Sequence, residues 1–165
     1  MKPAVTDANI FIDLIELELL HLLFDLGIEI HTTKAVYDQL NAEQQIISEP
    51  FVQSKALIIY NFSFNELSEL SQIAFPTGLE PADKSVYYYS IKIGAMILSG
   101  DKRLRTFCES KSVEVRGIIW VFDRFVSNSI ISKRTAAAKL QLLMDINNRI
   151  PFEDCKKRIS KWNSE

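Results

Sequence analysis

Five short apolar runs rich in Val and Ile, at residues 3–6, 28–31, 56–60, 95–99 and 113–117, are separated by longer stretches whose apolar residues recur at helical spacing. Runs this short suit strands, and the stretches between them are long enough for helical crossovers. The pattern constrains the chain to an α/β domain with a mostly parallel, roughly five-stranded sheet.

The helical stretches carry their own punctuation. "IFIDLIELELLHLLFDLG" has one dominant apolar face and a stop at Gly27, so a single helix is expected there. "TTKAVYDQLN" begins with threonine caps and predicts a short helix, and residues 64–74 predict another. "PADKSVYYYSIKIG" starts on Pro81, suited to a first helical position, and stops on Gly94. "IIWVFDRFVSNSI" predicts a helix, and the tail predicts two more, separated near Pro151. The expected organisation is a domain over 1–125 with helices 126–165 appended and packed on it.

The 165 residues fit one core, and 47% hydrophobic with 24% charged residues is the balance of a soluble globular chain. No run approaches the ~20 apolar residues that span a bilayer, and no signal-peptide pattern opens the sequence, so a cytoplasmic protein without a membrane partner is expected. Cys108 and Cys155 form no CxxC pattern, and His21 and His31 form no zinc-ligand spacing. Nineteen basic against twenty-one acidic side chains exclude a global positive field. A polyanion must then be bound locally.

Carboxylates supply the local chemistry. Ligands of open parallel sheets bind outside the carboxyl ends of the strands. Asp7 follows the run ending at Thr6, and Asp101 follows "AMILSG", so two runs deliver acids to one edge. Asp83 lies in the first turn of the preceding helix, and Asp38 lies late in the helix after "EIHTT". Such acids repel one another unless a cation neutralises them, and hard oxygen donors suit Mg²⁺ or Mn²⁺. Such ions support in-line displacement at a phosphodiester.

"TDANIFID", "TTKAVYDQL" and "LEPADKSVYYYSIKIGAMILSGDKRLR" together resemble the motifs of the PIN domain, a family mostly of metal-dependent ribonucleases that includes VapC-type toxins. The resemblance spans roughly residues 1–120, with Asp83 and Asp101 eighteen positions apart, and the tail resembles a helical extension found in one PIN subgroup. It implies a three-layer α/β/α fold and a metal-dependent endoribonuclease, with Asp7, Asp83 and Asp101 as metal ligands. Asp38 would assist them, in a place where the family usually carries glutamate. Asn9 and Ser99 would support the acids, and Lys102 and Arg103 would contact RNA. A toxin would imply an antitoxin partner, and the apolar faces of the "IFIDLIELELLHLLF" segment and the tail are candidates for homodimerisation.

Each residue also has a plainer reading. Asp7, Asn9 and Asp101 suit helix caps, Asp83 suits a helix N-terminus, and Asp38 suits an exposed pair with Lys34. Lys102, Arg103 and Arg105 suit a solvated helix face. Function has a matching alternative, a PIN-fold module that binds RNA or protein without cutting it.

Overall fold

A computed structural model describes residues 2–165. Its elements in chain order are β1 (Ala4–Thr6), α1 (Ala8–Glu16), α2 (Leu20–Leu23), β2 (Ile30–Thr33), α3 (Lys34–Tyr37), α4 (Ala42–Gln53), β3 (Leu57–Tyr60) and α5 (Phe64–Ser71). There follow α6 (Pro81–Ile93), β4 (Met96–Leu98), α7 (Lys102–Ser110), β5 (Val115–Arg116), α8 (Ile118–Ser127), α9 (Lys133–Ile146) and α10 (Phe152–Ser164). Each predicted apolar run overlaps one strand, β2 starting two residues into its run and ending two residues past it at Thr33; all pairings are parallel, and the sheet order is β3-β2-β1-β4-β5. The result is a three-layer α/β/α domain with a helical C-terminal extension. β1, β2 and β4 are buried along their whole lengths, which explains why their sequences do not alternate.

The chain builds outward from β1 through β2 to β3, then returns to add β4 and β5 on the other side of β1. That reversal puts a crevice between the carboxyl ends of β1 and β4, where Thr6 pairs with Leu98.

The single helix expected before Gly27 is two. α1 stops at Glu16, and Glu18 takes a left-handed backbone with φ 59°. Leu19 N–H donates to Leu14 O at 2.8 Å and Glu18 N–H to Ile15 O at 3.0 Å, the paired closing bonds of a Schellman end. Burial of both Leu14 and Leu19 secures this turn without a glycine. Ser112 and Ser129 close α7 and α8 in the same way, with φ 59° and 57°. Gly27 does supply a stop, at φ 70°, after a 3₁₀ turn over Phe24–Leu26 that follows α2. The helix α4 was not signalled by periodicity: Ile46 and Ile47 are exposed and Pro50 lies inside it. Its capping box, Asn41 with Gln44, was the available sign.

The core runs without interruption from the sheet into the extension. Phe122 and Phe125 on α8 are fully buried, and Trp162 on α10 lies 6.4 Å from the Phe122 ring. Two polar bonds fasten the extension to α1: Asn147 Nδ2 donates to Asp13 Oδ1 at 2.9 Å, and Lys139 Nζ donates to Leu17 O at 2.9 Å. Cys108 and Cys155 are buried free thiols, pushed by burial up to about 12 and about 11. Such thiols are unreactive near neutrality. Among the described residues no helix is long and apolar enough to cross a membrane.

Candidate nuclease site at the strand switch point

Asp7 ends β1 and opens α1, and only 4% of it is exposed. Its Oδ1 accepts from Ala8 N–H at 2.8 Å, and its Oδ2 accepts from Ser99 Oγ at 2.8 Å and Asn9 Nδ2 at 3.2 Å. Ser99, fully buried after β4, also accepts from the Asp101 backbone N–H at 3.0 Å. Asn9 Oδ1 accepts from Gly100 N–H at 3.0 Å. Ser99 and Asn9 therefore lace the ends of β1 and β4 together, and Asp7 cannot change rotamer without breaking three bonds. Arg105 braces the same loop from behind, donating to Val115 O at 2.9 Å and Ser99 O at 3.5 Å.

Asp101 realises its plainer reading as the cap of α7, accepting from Leu104 N–H at 2.7 Å with Oδ1. Asp83 likewise accepts from Glu80 N–H at 2.9 Å with Oδ2 in the first turn of α6. Among the described residues, Asp101 Oδ2 and Asp83 Oδ1 accept no hydrogen bond. Capping occupies one oxygen of each and leaves the other for a ligand.

Electrostatics tie these acids into one group. Burial pushes the Asp7 carboxyl above its ordinary value, against the hydrogen bonds from Ser99, Ala8 and Asn9, and the Asp101 charge adds to the rise. Burial also pushes Asp83 up to about 6, and Asp7, Asp101 and Glu80 add to that rise. The structure brings Asp7, Asp83 and Asp101 within one another's fields.

Asp38 stands apart. It is exposed at the end of α3, its carboxylate paired with Lys34, and it contributes to the rise of neither Asp7 nor Asp83. The basic cluster also divides. Lys102 faces the cleft described below, whereas Arg103 packs over Gly78, donating to its carbonyl at 3.4 Å. Gly78 has φ 98°, and a Cβ there would lie 2.7 Å from the Arg103 guanidinium, so this contact needs a glycine. Of the tyrosines at 87–89, Tyr89 is core, stacked 4.4 Å from Tyr60.

The three carboxylates fit a hard divalent cation by donor chemistry. Their spacing is open: among the described residues no three His, Cys, Asp or Glu groups are gathered closely enough to hold an ion. Next to them a cleft of about 1070 Å³ runs from Asn9, Gly100 and Asp101 to the α9–α10 extension. Its far wall includes Trp120, Arg149, Lys157, Arg158 and Lys161. None of these was legible as a site residue in the sequence, because the extension reaches the cleft only through packing. Asp13, an acid on the apolar face of α1, was the one visible anomaly pointing there.

A parallel sheet with acids gathered at its switch point defines a class of α/β proteins with a charged catalytic or binding edge. The chain belongs to the PIN-domain family: the family model described as "DUF3368: PIN domain" matches residues 3–164, extension included. PIN domains are commonly nucleases and generally depend on divalent metal. No curated protein matches the chain. Among solved structures it is similar to a PilT N-terminus domain protein, SSO1118, from the hyperthermophilic archaeon Sulfolobus solfataricus P2. Identity is 11%, the alignment covers 70% of this chain and 86% of that one, and the TM-score is 0.43.

Proposed function

We propose that the protein is a metal-dependent endoribonuclease in which Asp7, Asp83 and Asp101 hold Mg²⁺ or Mn²⁺. The observation that carries this reading is the mutual repulsion of three acids at one sheet edge, two of them with an oxygen left unbonded. A bound cation would supply the charge that offsets the phosphodiester and the acidity that makes water a nucleophile near neutral pH. The chain's own residues do the positioning. Ser99 and Asn9 hold the Asp7 carboxylate in one rotamer and keep the Asp101 loop against it. Arg105 keeps that loop from lifting off β5. Lys102 and Arg103, both exposed on α7, are available to RNA phosphates. Asp38 enters only as an assisting group, and its pairing with Lys34 makes its substitution the mildest of the four.

Calorimetric titration with Mn²⁺, followed by RNA cleavage in the same samples, tests the reading on the native chain and on Asp7→Asn and Asp101→Asn. Binding and cleavage in the native chain, both lost in the variants, are expected. The open spacing of the carboxylates favours one other reading, a PIN-fold module that binds RNA or protein without turnover. RNA binding with neither Mn²⁺ uptake nor cleavage would select it. The finer assignment, a toxin held in check by an antitoxin, requires that expression arrest growth and that Asp7→Asn relieve the arrest.

A further inference from the structure

We infer that the cleft between α7 and the C-terminal extension is a binding groove for single-stranded RNA, which it leads into the acidic edge. In it, lysines of α10 take phosphates and Trp120 offers a face for a base. The inference rests on the nuclease reading and deepens it by naming the wall, built by α8 and the extension, that holds the substrate.

Size and charge carry it. At about 1070 Å³ the cleft stands at the top of the ~300–1,000 Å³ range of ligand pockets, and it begins at Asp101 rather than at a separate site. The chain as a whole has a net charge of -2. The cleft is the reverse, because Lys102, Arg105, Arg149, Lys157, Arg158 and Lys161 line it against only Asp13, Asp101 and Asp154. Not all of these cations are free: Arg158 lies 3.0 Å from Asp123, and Arg105 is engaged by backbone carbonyls and Glu109. Lys102, Arg149, Lys157 and Lys161 make no salt bridge among the described residues, although Lys161 lies within the field of Asp123 and Glu165. Unpaired cations along a cleft that ends at acids are suited to a backbone whose phosphates pass the lysines before one of them reaches the carboxylates.

Trp120 adds the second element. It is half-buried on α8, with the Arg124 guanidinium 5.8 Å from its ring centroid, and it lines the cleft among these cations. An aromatic face flanked by positive charge is the usual platform for an unpaired base, and it has no use for bases stacked inside a duplex. A single strand is therefore the form the groove takes.

The test measures fluorescence anisotropy of a labelled oligouridine of roughly ten nucleotides, within the ~4–16 nucleotides of known single-strand sites. It is run in EDTA, so that binding is read apart from cleavage. Lys157 and Lys161 are exposed, which makes Lys157→Glu/Lys161→Glu tolerable to the fold. Lys156→Glu is the control, since Lys156 neighbours Lys157 on α10 but does not line the cleft.

The expected result is a loss of affinity of roughly tenfold or more in the double variant, with the log–log salt slope reduced by ~0.7 for each phosphate contact removed. Lys156→Glu should stay within about twofold of native, and duplex RNA of the same length should bind more weakly than the single strand. Native-like affinity in the double variant, an equal loss in Lys156→Glu, equal affinity for duplex, or no binding by the native chain would each overturn the inference. So would poly-glutamate competing as well as oligouridine, which would assign the groove to an acidic protein. Binding as expected in a chain that never cleaves RNA would sink the nuclease reading and leave the groove standing. Cleavage with native-like affinity in the double variant would do the opposite.

Discussion

Replacing Asp13 with asparagine should stabilise the protein at neutral pH, and the size of the effect follows from where the carboxylate sits. Asp13 is only 8% exposed and accepts from Asn147 Nδ2 at 2.9 Å, joining α1 to the turn after α9. Burial pushes it from 3.8 up to about 6, Glu16 adds to the rise, and the Asn147 bond opposes it. At ~1.4 kcal/mol per pH unit, that rise makes the charged form about 3 kcal/mol less favourable in the folded chain than in the unfolded one. The penalty is fully present above the folded value and is relieved as pH falls through 6 toward 3.8, where the folded chain holds a proton that the unfolded chain has released. The amide of an Asp13→Asn variant would keep an oxygen to accept from Asn147 and would carry no charge. The variant should therefore gain up to about 3 kcal/mol near pH 7.5, or roughly 6–12 °C in Tm for a chain of this size, and about nothing near pH 4. Thermal melts of both proteins across that range, read as the difference between them, isolate this group from every other. Parallel curves would refute the reasoning, because they would mean that Asp13 ionises alike in the folded and unfolded chains.

Ser99→Ala should cost about 1–3 kcal/mol in urea unfolding, because Asp7 loses a donor and the Asp101 N–H is left without its acceptor. Losing that donor raises the Asp7 carboxyl further, so cleavage should fall most on the acid side of its pH profile; an unchanged profile would mean that Ser99 does not set the Asp7 charge. Glu18→Gly should raise stability by roughly 0.5–1 kcal/mol by relieving the left-handed backbone at φ 59°. A loss in thermal melts would show that the Glu18 side chain contributes more than its backbone strain removes.

The strands were legible in the sequence because buried parallel strands concentrate Val, Ile and Leu; β2, whose His31, Thr32 and Thr33 are buried polar residues, was the one whose end at Thr33 lay outside its run. The gathering of Asp7 with Asp101 was legible for the same reason: a strand end fixes where the next residue goes. Helix ends were harder. The break at Glu18 rests on the burial of Leu14 and Leu19, a tertiary effect that no local glycine announces. Asp38 shows the limit of motif position, since both its place after β2 and its exposed pair with Lys34 were foreseeable from spacing, and side-chain geometry decided that the pair is formed. The cleft wall lay further out of reach. The bond that fixes it joins residues 134 positions apart, and nothing in the tail's composition marks Lys157 and Lys161 from their neighbours.

The helix α1 serves both ends of the cleft. Its first turn carries Asn9 against the acids, and its later turns hold the extension through Asp13 and the Leu17 carbonyl. At ~1.5 Å per residue, the four-residue step from Asn9 to Asp13 is a rigid gauge of ~6 Å that sets how far the wall stands from the carboxylates. The two sides of the cleft are thus measured off the same bar. A change that tilts α1 would move wall and acids together and preserve the gap, whereas one that lengthens or kinks it would alter the reach from phosphate grip to reaction centre.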